Sequence, residues 1–171
     1  MPLPCARVRE HYTHTPNWRL WTPDASFSTV ETVRPGAAAV LQVLYRLPVV
    51  SNRDVVIYET QLAPGDEAAA GAHTAVAMSI EHPLCPKRRG VVRAKLLISV
   101  TRFEALPPGA LQPADAGTPD GPPLSTEATR ITSWQHADPR GGVPVSVVNS
   151  MIVRGKTQLK AMRKIMSEQL R

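Results

Sequence analysis

The sequence predicts an α+β fold in which a curved antiparallel sheet wraps around one long C-terminal helix, and three observations carry that reading. Between residues 37 and 136 five strand-like runs follow one another, separated by turn signals, with no helical stretch between them. From Val148 onward the apolar positions Val148, Ile152, Gly155, Leu159, Met162, Met166 and Leu170 recur at intervals of three and four, the period of an α-helix. No strand-like run alternates with a helical one and no repeat of about 20 to 50 residues is visible, which argues against a doubly wound parallel sheet and against a solenoid.

At 171 residues the chain is expected to be one domain, residues 1–171, and 43% hydrophobic content is sufficient for a core. Before residue 26 the prolines Pro2, Pro4, Pro16 and Pro23 interrupt any long element, leaving a short helix around Arg7 to Tyr12 and two large anchors, Trp18 and Trp21. The first alternating run is Ala37 to Leu47, with Ala39, Leu41, Val43, Tyr45 and Leu47 on one side and Gln42 and Arg46 on the other, closed by Pro48. Arg53 to Leu62 is the second strand, ended by the turn Ala63-Pro64-Gly65-Asp66, and His73 to His82 is the third, with Val76, Met78 and Ile80 on one face. The loop HPLCPKRRG, residues 82–90, has two prolines and three consecutive basic residues and is expected to be an exposed, mobile connection. Val91 to Phe103 follows as one strand, with Val92, Ala94, Leu96, Ile98 and Val100 sharing a face. Residues 106–126 contain six prolines and three glycines, too little apolar surface to order themselves, and read as a flexible insertion.

The last strand, Thr129 to His136, is rich in β-branched and aromatic residues, and Asp138-Pro139-Arg140-Gly141-Gly142 makes its sharp exit. Pro144 stands where a helix tolerates proline, and residues 143–171 are expected to form the long helix. Lys156, Lys160, Arg163 and Arg171 lie about a quarter turn from its apolar stripe, a basic flank, and Gly155 interrupts the stripe as if something approached closely there.

Four stretches resemble the START family, the StAR-related lipid-transfer domains. The run W-x-x-x-D-P-x-G-G-x-P-x-x-x-x-N, with Trp134, Asp138, Gly141, Gly142, Pro144 and Asn149, is similar to the end of such a domain, where the following helix packs as a lid over a lipid tunnel. YRLPVVSNRDVVIYET is similar to the phosphatidylcholine-transfer branch, and NWRLWTPDASFSTVETV resembles the family's segment in which a W-D pair precedes a phenylalanine and a strand, with Trp21 and Phe27 in place and Thr22 where aspartate is expected. GVVRAK resembles the corresponding later strand. The resemblance implies the helix-grip fold, with a further helix and two or three strands upstream in a complete family domain, so that it covers about the C-terminal three quarters of that fold. It implies a hydrophobic cavity holding one lipid, a phospholipid, sterol or sphingolipid, under the Pro144 to Leu170 helix. Its cavity and lid candidates are Tyr45, Val55, Ile57, Glu59, Arg93, Trp134, Val148, Ile152, Gly155 and Leu159, and the loop at residues 82–90 forms part of the tunnel mouth. In the phosphatidylcholine-transfer branch an arginine six positions beyond the SNRD arginine meets the lipid phosphate; here that position is Glu59.

Chemistry-bearing patterns are sparse. No GxSxG, P-loop or glycine fingerprint is present, so no catalytic residue and no cofactor is expected. Cys5 and Cys85 lie eighty residues apart, and His11, His14, His73, His82 and His136 lack ligand spacing, so neither a metal site nor a disulfide scaffold is expected. Arg53 and Asp54, adjacent on a strand, point to opposite faces and read as structural. Glu59 shares a face with Arg53, Val55, Ile57 and Gln61: it is either an acid in an apolar interior, needing a partner for its charge, or an exposed rim residue. The net charge of +6 favours anionic partners, and without interleaved aromatic platforms an anionic membrane surface fits better than nucleic acid, with Lys87, Arg88, Arg89, Lys156 and Lys160 as docking residues. No run is long enough to span a bilayer and no secretory h-region is visible, so a soluble cytoplasmic protein with peripheral membrane contact is expected. The functional expectation is a non-enzymatic lipid carrier, with a lipid sensor or scaffold, or a hydrolase or cyclase using the same cavity, as the alternatives.

Overall fold

The computed structural model describes residues 4–47, 49–62, 72–107, 110 and 128–169, except the side chains at positions 15, 151, 152, 154, 167 and 169. Pro48, the turn at Ala63–Asp66, most of the insertion at 106–126, Leu170, Arg171 and the Ile152 side chain lie outside the described residues.

The chain opens with helix α1, Cys5–Thr13, preceded by Pro4, whose missing N–H is no loss at a helix start. Cys5, Val8 and Tyr12 fall on one face at spacings of three and four, and that face is turned inward. After a 3₁₀ turn, Thr15–Asn17, the single-turn helix α2, Trp18–Trp21, closes with the Thr22 N–H donating to the Trp18 carbonyl at 2.9 Å.

Six strands then form an antiparallel path: β1 Ala25–Arg34, β2 Ala38–Tyr45, β3 Asn52–Gln61, β4 His73–Ser79, β6 Lys95–Leu106 and β7 Ala128–Asp138, in that spatial order. The three-residue strand β5, Val91–Arg93, lies off this path and pairs parallel with Asn52 to Asp54 of β3. The expected strand from Val91 to Phe103 is therefore divided at Ala94, whose N–H donates to the Asp54 carbonyl at 2.9 Å. Its expected common face does not hold either. The register skips at Leu97, between Leu96 opposite Ala137 and Ile98 opposite His136, and one extra residue moves every later side chain to the other face. Leu96 accordingly packs inward, Ile98 is exposed, and the inner positions beyond the skip are Ser99, Thr101 and Phe103.

Helix α3, Val145–Gln169, packs on this inner face together with α1 and α2. Met162 and Met166 join Cys5, Val8, Trp21 and Phe103 in one buried cluster, so the stripe expected from the sequence is covered over its C-terminal turns. A second cluster, Ala25, Phe27, Leu41, Val43, Val55, Ile57 and Ala77, covers the inner face of β1 to β4, with Trp18 edge-on to Phe27 at 5.3 Å. The outer face has its own small core, Val40, Val56 and Cys85, because the loop after β4 folds back over the sheet. Residues 83, 84 and 86–90 of that loop are exposed, as expected, while Cys85, 4% exposed, fastens it to the sheet.

Candidate functional site

The register places Glu59 on the inner face between Ala39 of β2 and Ala77 of β4. Two small neighbours leave space above a long acidic side chain, and that space is a cavity of about 280 Å³ bounded by Thr13, His14 and Pro16, by Thr29 of β1, and by Ala39, Leu41 and Glu59 on the sheet. A larger hollow of about 530 Å³, lined by polar residues such as Arg7, Glu10 and His11, adjoins it on the surface. The smaller one holds the chemistry. Burial pushes the Glu59 carboxyl up to about 7, with no ion pair among the described residues to offset it. Glu59 is partly buried, and its cavity is lined by Ala39 and Leu41 on one side and by Thr29, Thr32 and Arg34 on the other.

Tyr12 reaches this region from α1. Its ring meets Phe103 edge-on at 5.1 Å and its hydroxyl lies 3.4 Å from Thr101 Oγ1. Burial pushes its pKa up to about 12; the hydrogen bond to Thr101 opposes that, while the Glu59 and Tyr45 charges add to it. Tyr45, raised by burial as well, lies on the same face two residues beyond Val43. Thr101 Oγ1 in turn lies 3.2 Å from Ser133 Oγ, so a short hydroxyl track crosses β6 and β7 beside the apolar floor.

Arg53, at the start of the inner face of β3, is buried, and its guanidinium donates to the carbonyls of Ser51, of Pro139 at 3.5 Å and of Arg140 at 3.3 Å. The last two belong to the turn between β7 and α3. There Asp138 Oδ1 accepts the Arg140 N–H at 2.8 Å, and Arg140 (φ 50°) and Gly141 (φ 67°) are both left-handed, a conformation suited to glycine. Arg53 thus ties the floor of the sheet to the root of the helix, and the structural reading of the Arg53 and Asp54 pair agrees with this arrangement. Along α3, Val148, Gly155 and Leu159 continue the face of Met162 and Met166, and Leu159, 53% exposed, shows that this face is covered only over its C-terminal turns. The close approach expected at Gly155 is not made: a β-carbon there meets nothing within 4 Å among the described residues.

Arg93 and Trp134 are corrected by the register. Arg93 pairs with Asp54 on the outer face, its Nε donating to Oδ1 at 2.8 Å and one terminal nitrogen to Oδ2 at 2.9 Å and to the Cys85 carbonyl at 2.9 Å. Gln42 Nε2 adds a third donor to Asp54 at 2.9 Å. Burial pushes the Asp54 carboxyl up, but the hydrogen bonds from Arg93 and Gln42 and the charges of Arg93 and Arg88 outweigh it and hold the group below the usual carboxylate range. Arg93 is therefore a clamp for the loop and the sheet, away from the cavity. Trp134 stands opposite Val100 on the outer face, 57% exposed, because its inner-facing neighbours are Ser133 and Gln135. Arg88 reaches Gln42 Oε1 at 3.4 Å, while Lys87, Arg89, Lys156 and Lys160 are exposed.

Sequence and structure comparisons agree with this architecture. The START domain model matches residues 1–169. The chain belongs to the START-domain family. Among solved structures it is similar to human StAR-related lipid transfer protein 5, with a TM-score of 0.68 at 20% identity, covering 95% of this chain and 72% of that one. The human StarD13 (DLC2) lipid transfer and protein localization domain gives a TM-score of 0.68 at 20% identity over 96% and 72%, and human STARD10 gives 0.62 at 20% over 98% and 63%. At that identity these neighbours establish a shared fold. No curated protein matches this chain.

In this START domain Tyr45, Val55, Ile57 and Glu59 share the inner face, and Val148, Gly155 and Leu159 lie along the helix packed on it. Tyr12, Thr101 and Ser133 were missed by the sequence reading. The spacing of Cys5, Val8 and Tyr12 was a usable signal for the first; the hydroxyls were hidden by the skip at Leu97. Among the described residues no three His, Cys, Asp or Glu side chains gather as metal ligands, and no helix is long and apolar enough to cross a membrane.

Proposed function

We propose that this START domain binds one hydrophobic lipid between the inner face of the sheet and α3 and carries it between membranes without covalent chemistry. The observation that carries the reading is the pairing of an apolar floor, Leu41, Val43, Val55 and Ile57, with one half-buried carboxyl, Glu59, at its end. Removing an acyl or sterol body from water contributes about 0.8 kcal/mol per CH₂, so the apolar part supplies the affinity and the single polar group the orientation. The forward turns of α3, with Val148 and Gly155 in line with the buried Met162 and Met166, would form the movable cover, hinged where Arg53 holds the turn. The lipid-transfer proteins among its structural neighbours support the same reading.

Glu59 also selects a ligand class. A carboxylate repels a lipid phosphate, whereas an acid titrating near 7 accepts a hydrogen bond from a hydroxyl or amide, donates one when protonated, or pairs with an amine. A sterol, sphingoid or amine-bearing lipid therefore fits better than phosphatidylcholine. Lys87, Arg89, Lys156 and Lys160 supply exposed positive charge for an anionic leaflet, each contributing about 1 kcal/mol near the surface.

The test is native mass spectrometry of the purified protein, followed by displacement of a fluorescent lipid across a panel of phosphatidylcholine, sterol and sphingoid lipids. The expected result is a one-to-one lipid complex preferring hydroxylated or amine-bearing lipids, and a Glu59→Arg variant shifted toward phosphatidylcholine by tenfold or more. A protein that takes up no lipid overturns the carrier reading. A wild type that prefers phosphatidylcholine, with the preference unmoved by Glu59→Arg, removes Glu59 from the head-group site.

A further inference from the structure

The inner face of the sheet is polar along one belt and apolar beside it. Across the strands, Glu59 of β3 stands beside Ala77 of β4, Ala77 beside Ser99 of β6, and Ser99 beside Gln135 of β7. The next inward row, two residues along each strand, is Gln61, Ala75, Thr101 and Ser133. The belt follows from the skip at Leu97, which turns Ser99 and Thr101 inward, and from the two alanines, whose methyl groups do not fill the space between the polar side chains. On one side of it lie the apolar rows of Leu41 with Ile57 and Val43 with Val55, and on the other the closed cluster of Phe103, Met162 and Met166. With neighbouring strands about 4.8 Å apart, the belt sets Ser99 about 10 Å and Gln135 about 14 Å from Glu59.

These groups are only loosely bonded to one another. Thr101 Oγ1 lies 3.2 Å from Ser133 Oγ and 3.4 Å from the Tyr12 hydroxyl, and Gln135 Nε2 donates to Ser99 Oγ at 3.4 Å. Hydroxyl bonds are ordinarily about 2.7–2.8 Å, and a Ser or Thr hydroxyl has one donor and two acceptor positions, so capacity remains along the belt. Burial is the one influence that raises Glu59: among the described residues no hydrogen bond or cation answers its carboxyl, Arg34 across the cavity on β1 included. A single sterol hydroxyl would satisfy one point of this belt, and a phosphate would meet an acid on it and no cation. A ring of neighbouring hydroxyls, each both donor and acceptor, matches carboxyl, amide and hydroxyl groups spread over this width. We propose that the belt holds an uncharged, polyhydroxylated head group, a sugar carried by a lipid whose apolar part lies on the rows of Leu41, Val43, Val55 and Ile57. This rests on the lipid-binding reading above and narrows its ligand to a glycosylated lipid.

The experiment measures displacement of a fluorescent ceramide by glucosylceramide, ceramide, cholesterol, phosphatidylcholine and methyl glucoside, the last a sugar without a lipid. Wild type is expected to bind glucosylceramide about tenfold or more tightly than ceramide, the effect of two or so added hydrogen bonds, and to show no displacement by millimolar methyl glucoside. Two variants act at opposite ends of the belt: Gln61→Leu at the cavity, and Ser99→Ala combined with Gln135→Leu on β6 and β7. Each is expected to reduce the preference for glucosylceramide over ceramide by about tenfold while ceramide affinity changes less than about twofold. The readout is a ratio of two ligands on one protein, which a general loss of stability does not move, and a failure of either variant to fold leaves the ratio readable in the other. A wild type that holds ceramide or cholesterol as tightly as glucosylceramide overturns the proposal and leaves the carrier reading standing; a protein that takes up none of these lipids overturns both. A preference unmoved in both variants, or methyl glucoside binding as tightly as glucosylceramide, also overturns it.

Discussion

Glu59 makes the stability of this domain depend on pH in a direction opposite to that of most carboxylates. Its usual value of 4.5 is raised to about 7 by burial, so between those values the folded protein holds a proton that the unfolded chain has released. Stability contributed by such a group is greatest below the unfolded value and falls as pH rises through the folded one. A shift of about 2.5 units corresponds to about 3 kcal/mol at 1.36 kcal/mol per unit, of which about 2.5 kcal/mol is lost between pH 5 and pH 8. Glu59→Gln keeps the shape and removes the titration. The variant is expected to gain on wild type by about 2–3 kcal/mol between pH 5 and pH 8, which for a chain of this size is a relative rise of about 5–10 °C in Tm. Thermal unfolding of both proteins by circular dichroism at the two pH values measures the double difference, in which every other titrating group cancels. A gap in Tm that stays constant with pH, within about 1 °C, would refute the argument: Glu59 would then be solvated or matched by a donor, and the basis for its role toward a lipid head group would go with it.

Two further substitutions probe the surroundings. Arg93→Met leaves the carboxylate of Asp54 buried without its main partner and is expected to cost about 3–5 kcal/mol in urea unfolding at pH 7, recovered in large part by adding Asp54→Asn; the depressed Asp54 pKa means that wild type loses this advantage as pH falls through and below the usual carboxylate range. A cost under about 1 kcal/mol would show that the outer-face clamp is dispensable. Gly155→Ala is expected to stabilise α3 by about 0.5–1 kcal/mol, since the added methyl meets open space and removes a glycine from a helix interior; a fall in Tm would mean that something approaches this position after all.

The sequence by itself determined the order of the long elements from β2 to α3, though not β1 or the division that sets β5 apart, and the alternation that put Leu41, Val43, Val55 and Ile57 on one side of the sheet, because period and turn chemistry are local properties. It also identified the family, since the run from Trp134 to Asn149 and the SNRD segment are contiguous in the chain. Tertiary structure decided what an alternating pattern cannot express, namely which side of a strand is covered and by what. One extra residue at Leu97 exchanged the faces of β6, placing Ser99, Thr101 and Phe103 inside and Ile98 outside. Arg93 looked like a cavity residue until the chain brought Asp54, thirty-nine positions earlier, within 2.8 Å of it on the other face. Trp134, the first residue of the family's motif, proved to face outward, and Tyr12, at the end of the short helix expected around Arg7 to Tyr12, arrived beside Glu59 only because Val8 and Cys5 are buried against Met162 and Met166. These outcomes depend on pairs of residues far apart in sequence, whose meeting is set by register and packing.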